Sequence, residues 1–463
     1  MQKGGDSLVS DKKQLLTEGS IIKKLILFTV PLFIGNLCQQ LYNTADAAIV
    51  GKYLDKTDLA AVNSSGSLIF MLVSLFLGIS VGAGVVISKY FGAQDEKNLK
   101  TAVHTTMAFG IAAGAILTLL GVFFTPHILR LMKTPEEVLP KSITYFRIYF
   151  YGAIPNVMYN ISSGILRAVG DSRRPLYYLM ASTALNIVLD WFFIGGLGYG
   201  VGAAAFATIL SQTLSAILCC SRLVCCSEVY RVEIRKIGFD GPMLRQIVGF
   251  GLPSGIQNSV IALANVFVQS NINSFGDSAM AGCGSYTKIE GFAFLPITCF
   301  AMGLTTFVGQ NLGARKHDRV KKASAFGIAT SMILAQLIGV TISIFAPFFI
   351  RMFSDDPDVI AFGARQARIA PLFYFLLSFS HCVAGILRGA GKATVPMFTM
   401  LAVWCVGRVA YISVTLRYIY DIAVVFWAYP ITWAIGSVIF LIYFLRVDWI
   451  HTFDRMEEKL KTK

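Results

Sequence analysis

The chain has 463 residues, 55% of them hydrophobic and 14% charged, with a formal net charge of +14 and a mean hydropathy of +0.64. Soluble domains carry about 25% charged residues, so this composition excludes a soluble enzyme and indicates a polytopic membrane protein. In a soluble chain the basic excess would suggest nucleic acid; here it collects in particular loops, as the positive-inside rule requires, and no nucleic-acid partner is expected.

The polar start of the chain (Lys3, Asp6, Asp11, Lys12, Lys13) reads as a cytoplasmic tail and not as a cleavable signal peptide. Twelve apolar runs follow, near 21–50, 59–86, 101–126, 143–165, 175–196, 200–224, 244–271, 281–308, 323–350, 364–386, 393–416 and 422–446. Each is long enough to cross a bilayer, at roughly 20 residues per span. Each is continuous, without the period of two that a barrel strand needs. The predicted fold is therefore all-α, with about twelve transmembrane helices.

Charge sorts the loops. Lys89, Lys97, Lys100, Arg167, Arg173, Arg174, Arg222, Arg231, Arg235, Lys236, Arg315, Lys316, Arg319, Lys321, Lys322, Arg388 and Lys392 fall on one side. Asp55, Asp58, Asp277, Asp355, Asp356 and Asp358 fall on the other. Both termini join the basic side, so they are expected to be cytoplasmic, with the chain in the plasma membrane. The nine cysteines are scattered. Cys219-Cys220 and Cys225-Cys226 form one tighter group, but the spacing fits no zinc pattern. Apolar filler is the expectation, with no disulfides.

The chain repeats itself. Gly164-Ile165-Leu166-Arg167-Ala168-Val169-Gly170-Asp171 returns as Gly385-Ile386-Leu387-Arg388-Gly389-Ala390-Gly391-Lys392, an offset of 221 (385 − 164). Pro175 and Pro396, Tyr90-Phe91-Gly92-Ala93 and Asn311-Leu312-Gly313-Ala314, and Arg147-Ile148 and Arg368-Ile369 share that offset. Pro31 and Pro253 lie 222 apart. The expected organisation is a six-helix lobe over 1–224, a basic cytoplasmic linker over 225–243, and a second six-helix lobe with a short tail over 244–463. An offset of six spans restores the same orientation in the bilayer, so the repeat is parallel, an architecture of transporters that rock one half against the other.

Only three acidic residues fall inside the spans: Asp46, Asp190 and Glu290. A carboxylate at the centre of a span costs about 2.5–3.5 kcal/mol on insertion scales, and such residues face a cavity, pair, or take up a proton or cation. Asp46 and Asp190 both lie a few residues before the outer ends of their spans, so similar depths are expected. Asn186 stands one turn before Asp190 on the same face. The repeat places Phe267 and Tyr411 at the equivalent positions, so the first lobe is the expected cation site. The alternative is that the aspartates only tie helices together.

Polar residues cluster nearby. Asn36, Gln39, Gln40 and Asn43 stripe the first span; Asn156, Asn160, Ser162 and Ser163 lie on the fourth; Thr208, Ser211 and Gln212 lie on the sixth. Their oxygens suit sodium or a proton-linked network, and Gln39, Asn43, Asn156 and Ser163 are candidates to line a substrate cavity. Sodium is a candidate ligand of Asp46 and Asp190. Arg408, midway along the eleventh span, needs a partner and is either a cavity residue or a brace. Lys288 and Glu290, at the start of the eighth span, are expected to form an interfacial pair, the alternative being a substrate contact. The 35 Phe offer π faces to lipophilic cations, although lipid contact accounts for most of them. There is no Walker A and no H-E-x-x-H, and the Gly-x-Ser pairs lie within helices.

Pro31, the segment Leu41-Tyr42-Asn43-Thr44-Ala45-Asp46, the two Gly-Ile-Leu-Arg segments and Asn186-Ile187-Val188-Leu189-Asp190, taken together, resemble the multidrug and toxin extrusion (MATE) family. The resemblance runs from about residue 16 to 446. It implies two lobes around a cleft, and export of cationic amphiphilic drugs in exchange for inward protons or sodium. It implies a transporter and not an enzyme, with no cofactor beyond the coupling ion, working in the bilayer as a monomer on small-molecule drugs. The chain is most similar to members whose first-lobe site uses an aspartate on the first helix, Asn-x-x-x-Asp on the fifth, Asn on the fourth and Thr on the sixth. Those positions are Asp46, Asn186 and Asp190, Asn160, and Thr208. It departs from the branch with a glutamate inside the seventh helix, since 251–270 contains none. A lipid-linked oligosaccharide flippase of the same superfamily is the competing reading; it would need more cationic residues in the spans than Arg408 and Lys288.

Overall fold

A computed structural model of the protein describes residues 15–54, 56–131 and 136–461. Lys3, Asp6, Asp11, Lys12, Lys13 and Asp55 lie outside the described residues. Every regular element among them is helical. The first half holds α1 (Ile21–Tyr53), α2 (Lys56–Gly92), α3 (Glu96–Leu131), α4 (Leu139–Tyr151), α5 (Ala153–Ala168), α6 (Arg173–Asp190) and α7 (Val201–Cys225). The second half holds α8 (Gly241–Asn273), α9 (Asp277–Gly313), α10 (His317–Ile344), α11 (Ala346–Arg351), α12 (Pro357–Ile369), α13 (Tyr374–Gly389), α14 (Thr394–Met400), α15 (Arg408–Tyr418), α16 (Ile422–Arg446) and α17 (Thr452–Lys461). Ten helical segments among the described residues are long and apolar enough to cross a membrane. The 37-residue α2 and the consecutive pair α4 and α5 complete the twelve.

Interruptions within spans have local causes. The fourth span breaks at Gly152, where Pro155 has no N–H to give Tyr151. Its counterpart breaks as a 3-10 turn over Ala370–Phe373, which contains Pro371. The fifth span ends as a π segment, Trp191–Gly196, directly after Asp190. The eleventh carries a π segment, Leu401–Gly407, directly before Arg408.

By packing, the units do not follow chain order. Among the described residues, one unit comprises 15–18 and 34–255, the other 19–33 and 256–461. The dividing points fall inside α1 and α8, each two residues beyond a proline, Pro31 and Pro253. Within the first unit, α8 crosses α2 at Gly251 and Gly255, against Gly82 and Gly78. Small residues four apart let two helix backbones meet this closely in lipid. Within the second unit Gly303 of α9 packs against the Thr29 side chain of α1. The first helix of each repeat thus splits its length between the units.

The turns carry the same repeat at atomic level. Gln94 and Arg315, 221 apart, are the two described non-glycine residues with positive φ, both at 55°. Asp95 N–H donates to Tyr90 O at 3.0 Å, and Lys316 N–H to Asn311 O at 2.8 Å. Gly170 (φ 94°) and Gly391 (φ 76°) repeat the pattern, with Asp171 N–H to Leu166 O and Lys392 N–H to Leu387 O. These six-to-one bonds close helix ends through a left-handed residue.

Large apolar side chains face outward, among them Phe123, Phe124, Leu119, Ile442 and Leu445, while Ser162, Asn186, Gln310 and Asn311 are buried. That inversion suits a lipid solvent, where helices associate through polar and small groups and not through apolar burial. The first unit's main core gathers Phe146, Phe150, Leu166, Tyr230 and Ile247; the second unit has a cluster around Val268, Ile412 and Phe426.

Asp421 caps α16 by accepting from Ala423 N–H at 2.7 Å and pairs with Arg365 at 2.9 Å. The cap bond and the guanidinium hold its carboxyl below the usual carboxylate range. Its contribution to stability is therefore present above that range and lost as pH falls through the lowered value. Asp421→Asn should cost about 0.5–1 kcal/mol, since asparagine still caps and the exposed ion pair is worth little. Thermal unfolding at neutral pH checks this, and the difference from wild type should vanish in acid.

Candidate functional site

The first unit assembles its polar site from α1, α4, α5, α6 and α7. Asn186 and Asp190 are fully buried on one face of α6. Both Asp190 carboxylate oxygens and both Asn186 amide atoms lack a hydrogen-bond partner, as does Asp46 Oδ1. Asp46 on α1 and Asp190 are close enough to share a hydrogen bond once one carries a proton. Among the described residues neither aspartate is in an ion pair. Two adjacent desolvated carboxylates without a counter-charge repel each other strongly.

Tyrosines surround the pair. Tyr42, one turn before Asp46, donates its hydroxyl to Thr208 Oγ1 at 3.1 Å, tying α1 to α7. Tyr145 and Tyr149 of α4 stack with ring centroids 6.5 Å apart, and Tyr145 lies within electrostatic range of both aspartates. Asn156 donates to Tyr149 Oη at 3.1 Å, and Asn160 donates to Asn156 Oδ1 at 2.8 Å. Asp46, Asp190, Asn186 and, through Tyr42, Thr208 therefore form one group. Asn160 belongs to a neighbouring chain of bonds that reaches the group through Tyr149.

A small cavity of about 40 Å³ lies beside this network, lined by Gln39, Tyr42, Asn156, Asn160, Ser182 and Gln212 among others. It has room for a few waters and none for a drug. Gln39 and Asn156 line this small space. Asn43 is exposed and does not line it. Ser163 is buried within α5, donating to Asn160 O and accepting from Arg167 Nη2, both at 3.1 Å; its hydroxyl is used within its own helix.

Arg408 lies in the other unit. It is buried over the ring of Tyr429, 4.3 Å from its centroid, and donates from Nη2 to Thr432 Oγ1 at 3.0 Å. It braces α15 against α16. The expected Lys288–Glu290 pair is corrected: residues two apart point to different helix faces. Glu290 accepts from Tyr286 Oη at 3.0 Å and Tyr374 Oη at 3.4 Å, while Lys288 Nζ sits 5.5 Å from the centroid of Phe353. They also lie well inside α9 rather than at its start. Sequence reasoning missed the tyrosines. The i, i+4 spacing of Tyr42 and Asp46 was a readable signal; the pairing of Tyr145 with the aspartates had none.

A half-buried and a fully buried aspartate side by side, with no counter-charge among the described residues, inside one of two repeated helical units, fit a membrane transporter rather than an enzyme. The family model described as MatE matches residues 31–192 and 253–414, one copy in each repeat, and the chain belongs to the MatE family. A probable multidrug resistance protein, YoeA of Bacillus subtilis (strain 168), is 28% identical over 412 residues, covering 87% of this chain and 88% of its own. The multidrug export protein MepA of Staphylococcus aureus (strain MSSA476) is 24% identical over 375 residues, covering 80% and 82%. A solved outward-facing multidrug resistance MATE family transporter of the MOP superfamily has the same fold, with a TM-score of 0.87 at 24% identity, covering 93% of this chain and 97% of its own.

Proposed function

We propose that the chain is a secondary active multidrug efflux antiporter of the plasma membrane, with both termini cytoplasmic, that exports cationic amphiphilic compounds in exchange for inward protons or sodium ions. The observation that carries the coupling is the Asp46–Asp190 pair, Asp46 half-buried and Asp190 fully buried beside Asn186. The names of YoeA and MepA support drug export.

With the site open outward, the aspartates take up a proton or a sodium ion, and the carboxylates and the Asn186 amide oxygen supply hard oxygen ligands. Neutralising the pair removes the repulsion between α1 and α6. The first helix then shifts, carrying Tyr42 and its bond to Thr208, and the first-lobe cavity narrows. Drug leaves outward, and the cation is released inward when the site reopens to the cytoplasm. A ligand drives such a shift only through its different affinity for the two states, and an acidic pair gives the cation that difference.

The test is dye efflux from proteoliposomes, with proton and sodium gradients imposed separately. Efflux should run under one gradient and not the other. Efflux under neither would overturn antiport and move weight to the flippase reading, with lipid substrates tried next.

A further inference from the structure

We infer that His317, His451 and Asp454 form a binding site for a divalent transition-metal ion of the zinc class, which clamps α17 to the turn before α10. One ligand atom from each residue lies within 4.8 Å of the other two. His317 Nε2 is 3.4 Å from Asp454 Oδ2. The two imidazoles meet edge to face with centroids 4.6 Å apart. In a tetrahedral site with bonds of about 2.0–2.1 Å, ligand atoms stand about 3.3 Å apart. Small side-chain rotations therefore close this trio around an ion.

Two imidazoles and a carboxylate favour zinc, nickel, cobalt or copper over magnesium or calcium. The second shell is also built. His451 Nδ1 faces Asp448, at 2.9 Å from Oδ1 and 3.0 Å from Oδ2. A carboxylate on one ring nitrogen orients a metal-binding histidine and presents the other nitrogen to the ion. Arg455 Nη2 holds Asp448 in turn, at 3.2 Å. The competing cation is Arg315, whose Nε is 3.6 Å from Asp454 Oδ1 on a side chain two-thirds exposed, so solvent screens the pair. His451 is half exposed, which leaves an entry path and room for water at the open position.

The equivalent positions of the first lobe do not repeat the trio. The residues 221 positions earlier are Glu96, Tyr230 and Glu233. There, too, the segment after the sixth helix returns to the third: Glu233 N–H donates to His104 Nε2 at 3.0 Å. The first lobe closes this contact with a direct hydrogen bond, and the second closes it with two histidines and an aspartate.

The test titrates Zn2+ into tag-free full-length protein in detergent by calorimetry. Wild type should bind one more ion per chain than His317→Ala/His451→Ala. Asp448→Asn should weaken that site about 10–100-fold, as removal of an orienting carboxylate does. Zn2+ should also slow tryptic cleavage at Arg455 in wild type and not in the double variant. Equal thermal midpoints in chelator would show that the variants fold. Unchanged stoichiometry and affinity in the folded double variant would overturn the inference.

Discussion

Asp190→Asn should abolish gradient-driven drug efflux, to the level of vesicles without protein, while the variant is made and folds like wild type. Asparagine keeps the size of the side chain and much of its hydrogen-bonding capacity, and loses only the ability to take up and release a cation. Asp46→Asn should give the same result, because either change leaves one acid where the proposed coupling uses two. The stability readout separates this from misfolding. A buried charge without a partner is costly, and removing one partner of a balanced ion pair typically costs 3–5 kcal/mol. Here no ion pair is broken among the described residues, so the thermal midpoint should hold or rise. A falling midpoint, or full efflux by both variants, would mean that the aspartates are helix ties and not the coupling site.

Gly82→Val and Gly251→Val should disrupt the first unit. A Cβ on Gly82 would lie 2.5 Å from Ile247 O and from Gly251 Cα, and one on Gly251 would lie 2.5 Å from Ile79 Cα. These neighbours are backbone, so the helices must part. Overpacking typically costs 1–3 kcal/mol, and a crossing of two long helices has little freedom to relax, so about 3 kcal/mol is the expected scale. Gly84 and Gly249 are the controls. They lie on the same two helices, with open space where a Cβ would go, so alanine there should be tolerated. Thermal midpoints of the four variants in detergent check this. Equal losses at contact and control positions would show that glycine matters here through backbone freedom and not through the crossing.

Much of this was readable in the sequence. The spans follow from runs of apolar residues, and the repeat from an offset that returns as paired turns at Gln94 and Arg315 and at Gly170 and Gly391. Asp46 and Asp190 stand out because a carboxylate in an apolar run is costly wherever the helix turns, and Asn186 because it stands one turn from Asp190 on the same face. The Glu290 partners were not readable. A tyrosine at i−4 is visible, but Tyr374 comes from 84 residues away, and no local pattern selects it. That the Ser163 hydroxyl bonds to Asn160 and Arg167 of its own helix was not readable either, since several hydroxyls and amides lie within a turn of it.

The sequence by itself therefore determined the solvent, the number of spans, the parallel repeat and the identity of the buried acids, all of which depend on composition along one helix at a time. Tertiary structure decided which glycines touch, which tyrosine reaches Thr208, and that α1 and α8 each split their length between the two units. The reason is rotational. In lipid a helix can be apolar on every side, so hydropathy does not say which face turns inward. The rotation of each helix about its axis is set by small residues and polar partners that lie far apart in the chain.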